Sequence, residues 1–129
     1  DTDVQVLRPA ELKRLYNRSC ASGDLIVGQE DEKWICNAVM IAPPRHIVIG
    51  TLLEKYQRMS LSETFDGVTN GVTLLTQACE GRADVDVLRS EVFYPWHWKD
   101  KDKNNVWKKE RVTPVSVCAH HWIGSWVKK

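Results

Sequence analysis

Asp1-Thr2-Asp3-Val4-Gln5-Val6-Leu7-Arg8-Pro9 sets two carboxylates two positions apart, then an alternating apolar run, then a proline. On an extended backbone, residues i and i+2 point to the same side, so Asp1 and Asp3 can aim at one point. Val4 and Val6 alternate with polar neighbours, which predicts a short strand leaving the pair. Pro9 suits the first turn of a helix. Two hard oxygen donors converging on one point suit Mg²⁺ or Mn²⁺. Such an ion neutralises a diphosphate and stabilises it as a leaving group.

At the far end, Cys118-Ala119-His120-His121-Trp122-Ile123-Gly124-Ser125-Trp126 supplies imidazoles, a hydroxyl and flat aromatic rings. The two stretches are expected to meet around one metal. Spacing alone does not single out the first pair, because Asp84-Val85-Asp86 and Asp100-Lys101-Asp102 have the same form. By pattern alone each of the three reads as a solvated surface pair; the setting of the first and its partners further along set it apart.

A chain of 129 residues with 43% apolar residues is one domain or a piece of one, with enough apolar side chains for a core. A net charge of +1 gives no global field for nucleic acid or an anionic membrane. No apolar run is long enough to span a bilayer. Cys20, Cys36, Cys79 and Cys118 form no CxxC pair, which argues against a structural zinc site and leaves disulfides open. Asn17-Arg18-Ser19 fits the N-glycosylation acceptor pattern. Because the chain opens directly on the aspartate pair, it is expected to be a fragment or a trimmed piece.

Along the chain, Leu12, Leu15 and Tyr16 share one face of a helix that starts at Pro9 and ends near Ser19, before Gly23. Leu25-Ile26-Val27 predicts a short buried strand, followed by a polar loop over 28–33. Residues 34–42 form a longer apolar stretch stopped by Pro43-Pro44, which favours a buried strand. Asn37 interrupts it, as a satisfied core amide, a bulge, or a polar contact at a ligand pocket. A helix follows from about Arg45 to Met59, with Ile49, Leu52, Leu53 and Tyr56 on its inner face and a structural His46 in its first turn. Residues 60–67 read as loop, and Thr69-Asn70-Gly71 opens the next helix, with Val72, Leu75 and Ala78 inward. Val85, Val87 and Leu88 make a short strand, and Asp84 and Asp86 face solvent. The stretch from Glu91 to Trp98 is dense in aromatics that can line a pocket or pack a core. A mixed-charge surface loop covers 99–105, and Val115-Ser116-Val117 begins a last strand.

In order, the chain carries an aspartate pair beside a strand, Asn37-Ala38 in an apolar strand, and the Thr69-Asn70-Gly71 helix start. Phe93-Tyr94-Pro95 and His120-His121-Trp122-Ile123-Gly124-Ser125-Trp126 complete the set. This set resembles the DXD-containing, sugar-nucleotide-dependent glycosyltransferases of family 32. That group includes initiation-specific alpha-1,6-mannosyltransferases, inositol-phosphoceramide mannosyltransferases and capsular polysaccharide enzymes. The resemblance implies an α/β fold of GT-A type, a mostly parallel sheet flanked by helices. Residues 1–129 would be the C-terminal portion of one catalytic domain, with the N-terminal nucleotide-binding half absent and the fragment alone inactive.

It further implies retaining transfer of a hexose from a UDP- or GDP-sugar to an acceptor hydroxyl on a glycan or lipid, with Mn²⁺ or Mg²⁺ as cofactor. Carried over, Asp3 is the principal carboxylate ligand of the metal, Asp1 contacts both metal and donor, and His121, favoured over His120, is the further ligand. Asn37, Ala38, Asn70, Ser125 and Trp126 would meet the donor, and no residue stands out as nucleophile or base. Thr69-Asn70-Gly71 stands where the family commonly has Thr-Gly-Pro. A eukaryotic member would sit on the luminal side of the Golgi membrane through an N-terminal anchor that this chain lacks. A bacterial one would be cytoplasmic or membrane-associated. The rival reading is a carbohydrate- or nucleic-acid-binding module built on Trp96, Trp98, Trp107 and the lysine-rich loop, or a remnant without activity. The near-zero net charge and the lack of a recognised binding motif argue against nucleic acid.

Overall fold

The computed structural model describes residues 2–59, 71–100 and 109–123. The chain is organised on Leu25–Gln29 (β2), whose Leu25, Ile26 and Val27 are all buried to 1% exposure or less. A continuous apolar triplet, in place of alternation, is what a strand covered on both faces requires. Ile26 packs with Leu15, Phe93, Tyr94 and Cys118 in one core. Leu25 and Val27 pack with Val48, Leu52, Leu75 and Cys79 in the other. Each such side chain contributes roughly 1.5–3 kcal/mol by leaving water.

Ile35–Ile41 (β3) and Val85–Leu88 (β4) flank β2 in the order β3-β2-β4. Val4–Val6 (β1) pairs antiparallel with Cys118–His120 (β5) in a separate two-stranded sheet. Pro9–Ser22 (α1) and Ile47–Arg58 (α2) are the longer helices. Thr73–Cys79 (α3) and Ser90–Phe93 (α4) are short. The domain is thus a small mixed α/β unit. The expectation of a mostly parallel sheet gives way here: β2 runs parallel to β4 but antiparallel to β3. Only a short turn, closed by the Glu30 N–H donating to the Trp34 carbonyl at 2.7 Å, joins β2 to β3, and a connection that short allows only an antiparallel partner. The longer path through α2 and α3 permits the parallel pair.

Helix α1 begins with Pro9, whose missing N–H costs nothing at that position. It ends at Gly23, which takes φ 84° and donates its N–H to the Ser19 carbonyl. Ser19 is fully buried, and its hydroxyl donates to the Asp24 carbonyl at 2.7 Å and lies 3.4 Å from that of Ile41. In α2 the inner face is Val48 and Leu52, one turn apart; Leu53 is 58% exposed, so the apolar stripe is rotated from the expected one. His46 caps that helix: its Nδ1 accepts the Val48 N–H, and its Nε2 faces the Asp84 carbonyl at 3.1 Å. With Nδ1 accepting, Nε2 carries the proton, a structural role as expected.

The register between β2 and β3 jumps between Val27 and Gly28, from Met40 to Cys36, so residues 37–39 bulge out of the ladder. The Tyr94 hydroxyl pins this bulge by accepting the Val39 N–H at 3.1 Å and facing the Cys36 carbonyl at 3.4 Å. All four cysteines are free, and only Cys20 is exposed. No helix among the described residues is long and apolar enough to cross a membrane.

Candidate functional site

The pairing of β1 with β5 sets Val4 opposite His120 and Val6 opposite Cys118. Just beyond the paired residues, the Asp3 carboxylate turns to His120: Oδ1 lies 2.9 Å from His120 Nε2, and Oδ2 accepts the Ile123 N–H at 2.8 Å. Both side chains are nearly closed off, with exposures of 13% and 8%. Burial pushes the Asp3 carboxyl up, but the Ile123 N–H and the His120 imidazole outweigh it and hold the group below its ordinary value. Burial lowers His120 by more than Asp3 raises it. An ionised carboxylate therefore faces a neutral imidazole, whose Nε2–H donates to it.

His121 is placed differently. Its backbone N–H donates to the Asp3 carbonyl at 3.0 Å, while its ring turns outward to Gln5 Oε1 at 3.2 Å and leans on Trp96. On a strand, neighbouring residues face opposite sides, so only one of the two histidines can join the Asp3 carboxylate. That one is His120 rather than the expected His121. Asp1, Asn70, Ser125 and Trp126 lie outside the described residues, as do Thr69, Gly124 and Trp107. Among the described residues no group of three potential metal-ligating side chains occurs. Asp3 and His120 supply an oxygen and a nitrogen converging at one place, a donor pair that fits part of such a shell.

Asn37 lies in the exposed bulge of β3, and its amide rests against Gly71, where an added Cβ would come within 2.6 Å of Nδ2. Ala38 is buried beneath it in the core that holds Tyr94 and Cys118. The described members of the other aspartate pairs are occupied, and Asp102 lies outside the described residues. Asp84 is bound by both Arg82 nitrogens, Asp86 pairs with Arg18 at 2.5 Å, and Asp100 takes Arg111 and the His97 N–H.

Around Asp3 and His120 the aromatic residues form a continuous cluster. The Trp122 ring lies 4.1 Å from that of His120 and 5.7 Å from that of His97. Its indole donates to the Trp96 carbonyl at 3.0 Å, and Trp96 donates to the His120 carbonyl at 2.7 Å. Trp122 holds φ 50°, a conformation that L residues occupy at a cost and that functional sites often retain. The aromatic stretch thus packs as core at Phe93, Tyr94 and Trp96 and opens to solvent at Trp98.

A second carboxylate–imidazole pair was not foreseen from the sequence. Glu30 Oε1 and His97 Nε2 lie 3.6 Å apart, with side-chain exposures of 11% and 18%. Glu30 Oε2 and His97 Nε2 have no hydrogen-bond partner. Glu30 reads as one more charge in a polar loop. The only signal for its role was its position at the end of a buried strand. Compared with known proteins, the chain matches no family model, no curated protein and no solved structure.

Proposed function

We propose that this chain carries the metal-binding and acceptor-facing part of a retaining glycosyltransferase of GT-A type that uses a nucleotide-diphosphate sugar. The supporting observation is the meeting of Asp3 and His120, 117 positions apart, at 2.9 Å beside the β1–β5 pairing. Asp3, His120 and Asp1 would hold Mn²⁺ or Mg²⁺, with Asp3 bound through one oxygen while Ile123 occupies the other. A divalent ion there supplies charge for a departing diphosphate.

The chain's own residues do the rest. The Ile123 N–H orients the Asp3 carboxylate, and Trp122 covers the His120 ring and keeps it in place. Asn37 would meet the donor sugar, together with Asn70, Ser125 and Trp126, while Ala38, expected beside it, is turned into the core. Asp3 is ionised and His120 neutral, with its Nε2–H donating to Asp3, so binding of the ion through Nε2 would move that proton off the nitrogen.

Manganese titration calorimetry on the chain tests this reading. Asp3→Asn and His120→Gln should each weaken Mn²⁺ binding by about tenfold or more, the usual scale for a lost ligand or its support. His121→Gln should change it far less. Equal affinity in wild type and Asp3→Asn would remove the metal from this place.

A further inference from the structure

Asn17-Arg18-Ser19 has no part in the Asp3 site, and no other Asn-X-Ser or Asn-X-Thr triplet occurs in the chain. Such a triplet accepts an N-linked glycan when its asparagine amide and its hydroxyl are presented together to a transferring enzyme, as a surface loop allows. Here the triplet lies inside α1, which runs from Pro9 to Ser22.

The helix pulls the two groups apart. Residues i and i+2 of a helix do not face each other. Asn17 is exposed, whereas Ser19 is fully buried and shares the inner face with Leu15, one turn earlier. The Ser19 hydroxyl is committed there, donating to the Asp24 carbonyl at 2.7 Å. Arg18, between them, pairs with Asp86 of β4 at 2.5 Å. To present the triplet, the folded chain must unwind the end of α1, lift Ser19 from the core and break the contact to β4.

The asparagine side chain itself stays outside. Its helical neighbours one turn away, Lys13, Arg14, Cys20 and Ala21, are exposed too. A glycan already bound at Asn17 therefore projects into water, and the helix can form beneath it.

We propose that Asn17 is an N-glycan attachment site open only before α1 folds. In the step, Asn17 Nδ2 bonds to C1 of the first sugar of a lipid-diphosphate-linked oligosaccharide. The bond from C1 to the diphosphate oxygen breaks, the lipid diphosphate leaves with the electron pair, and the amide proton passes to a base of the transferring enzyme. Ser19 is a positioning residue in the unfolded chain and a core residue afterwards. The glycan then records that the chain met the donor before it folded. In this reaction the chain is the acceptor of a sugar, whatever it transfers itself.

The test follows the chain in two states. Behind a cleavable signal sequence it is translated into microsomes, where it arrives unfolded. A single glycan should appear, removable by peptide N-glycosidase and absent from Asn17→Gln. Ser19→Ala should lose it as well. That variant also loses the bond to Asp24, which loosens the fold and would raise modification of a triplet that did not need the hydroxyl. Purified, folded chain is then given an oligosaccharyltransferase and the lipid-linked donor. Beside it runs the double variant Leu25→Asp, Ile26→Asp, which puts one unpaired charge into each core and should be unfolded by circular dichroism. The folded chain should react about tenfold or more slowly than the double variant, since only molecules with α1 open can enter the enzyme. The glycosylated chain should melt cooperatively near the midpoint of the bare one. No glycan on the microsomal product, a glycan retained in Ser19→Ala, equal rates for the folded chain and the double variant, or loss of cooperative melting on glycosylation would each overturn the proposal.

Discussion

The Tyr94 hydroxyl accepts the Val39 N–H at 3.1 Å from 55 positions away and so holds open the bulge in β3. A bulge leaves backbone groups outside the ladder, and buried ones must find partners elsewhere. Tyr94→Phe keeps the ring in the core and removes that partner. It should cost about 1–3 kcal/mol, read from urea unfolding, and should speed hydrogen exchange at Val39. An unchanged midpoint would mean that the bulge satisfies itself.

Gly28 lies under two aromatic rings. A Cβ there would meet Tyr94 Cε2 at 2.6 Å and Phe93 Cδ2 at 2.9 Å, and both rings are nearly fully buried. Gly28→Ala should therefore cost about 1–3 kcal/mol or more, because neither ring has room to retreat. Gly71→Ala offers a contrast. Its Cβ would meet only the tip of the exposed Asn37 side chain, which can swing away. That change should be close to neutral in the same unfolding assay.

Arg45 is exposed and holds φ 64°, just ahead of the His46 cap. Arg45→Gly should raise the thermal midpoint, since the strain removed, about 1–2 kcal/mol, is offset only in part by the greater freedom of the unfolded chain. Arg45→Val should lower it. The same midpoint for both variants would show that the turn does not depend on this torsion.

Glu30 is raised above its ordinary value by burial and then by Asp31, against smaller lowering from the Cys36 thiol, Trp98 and Lys99. The folded chain therefore keeps this proton over a range where the unfolded chain, with a value near ~4.3, has lost it. The contribution of Glu30 to stability is greatest below the unfolded value and falls as pH rises to the folded one. Relative to wild type, Glu30→Gln should gain stability as pH climbs through that window. Parallel stability–pH curves for the two would place Glu30 in contact with bulk water.

Thiol reactivity gives a check on the core. Burial pushes Cys36 up to about 12 and Cys79 and Cys118 up to about 11, while Cys20 is exposed. At neutral pH a disulfide reagent should label one thiol quickly and the other three only after unfolding. Rapid labelling of more than one would contradict this packing.

Local features of the fold were legible in the sequence. Pro9 and Gly23 mark the two ends of α1, and the apolar triplet in β2 marks a strand covered on both sides. These are properties of short stretches, where backbone chemistry decides. The β3 bulge was not legible, because it depends on the Tyr94 hydroxyl arriving from a distant turn. The sense of the β2–β3 pairing turns on the short loop between them, which the sequence shows as the polar stretch over 28–33; the mostly parallel sheet was expected from the resemblance instead. At the candidate site, the meeting of the first and last stretches followed from their chemistry. The choice between His120 and His121 did not, because it turns on which face of β5 points inward. Glu30 looked like a solvated charge and reached its place only through the packing of the aromatic segment above it.

The pairing of β1 with β5 also sets an order of assembly. Joining Asp3 to His120 closes a loop of 117 positions, an entropy cost of about 4 kcal/mol beyond a constant term. The β2–β3 pair closes over a single short turn and can form long before. During synthesis, β1 emerges before β5 and stays without that partner until β5 has been made. The Asp3 centre is then the last part of this fold to form, and the amides of β1 and β5 should exchange sooner than those of β2.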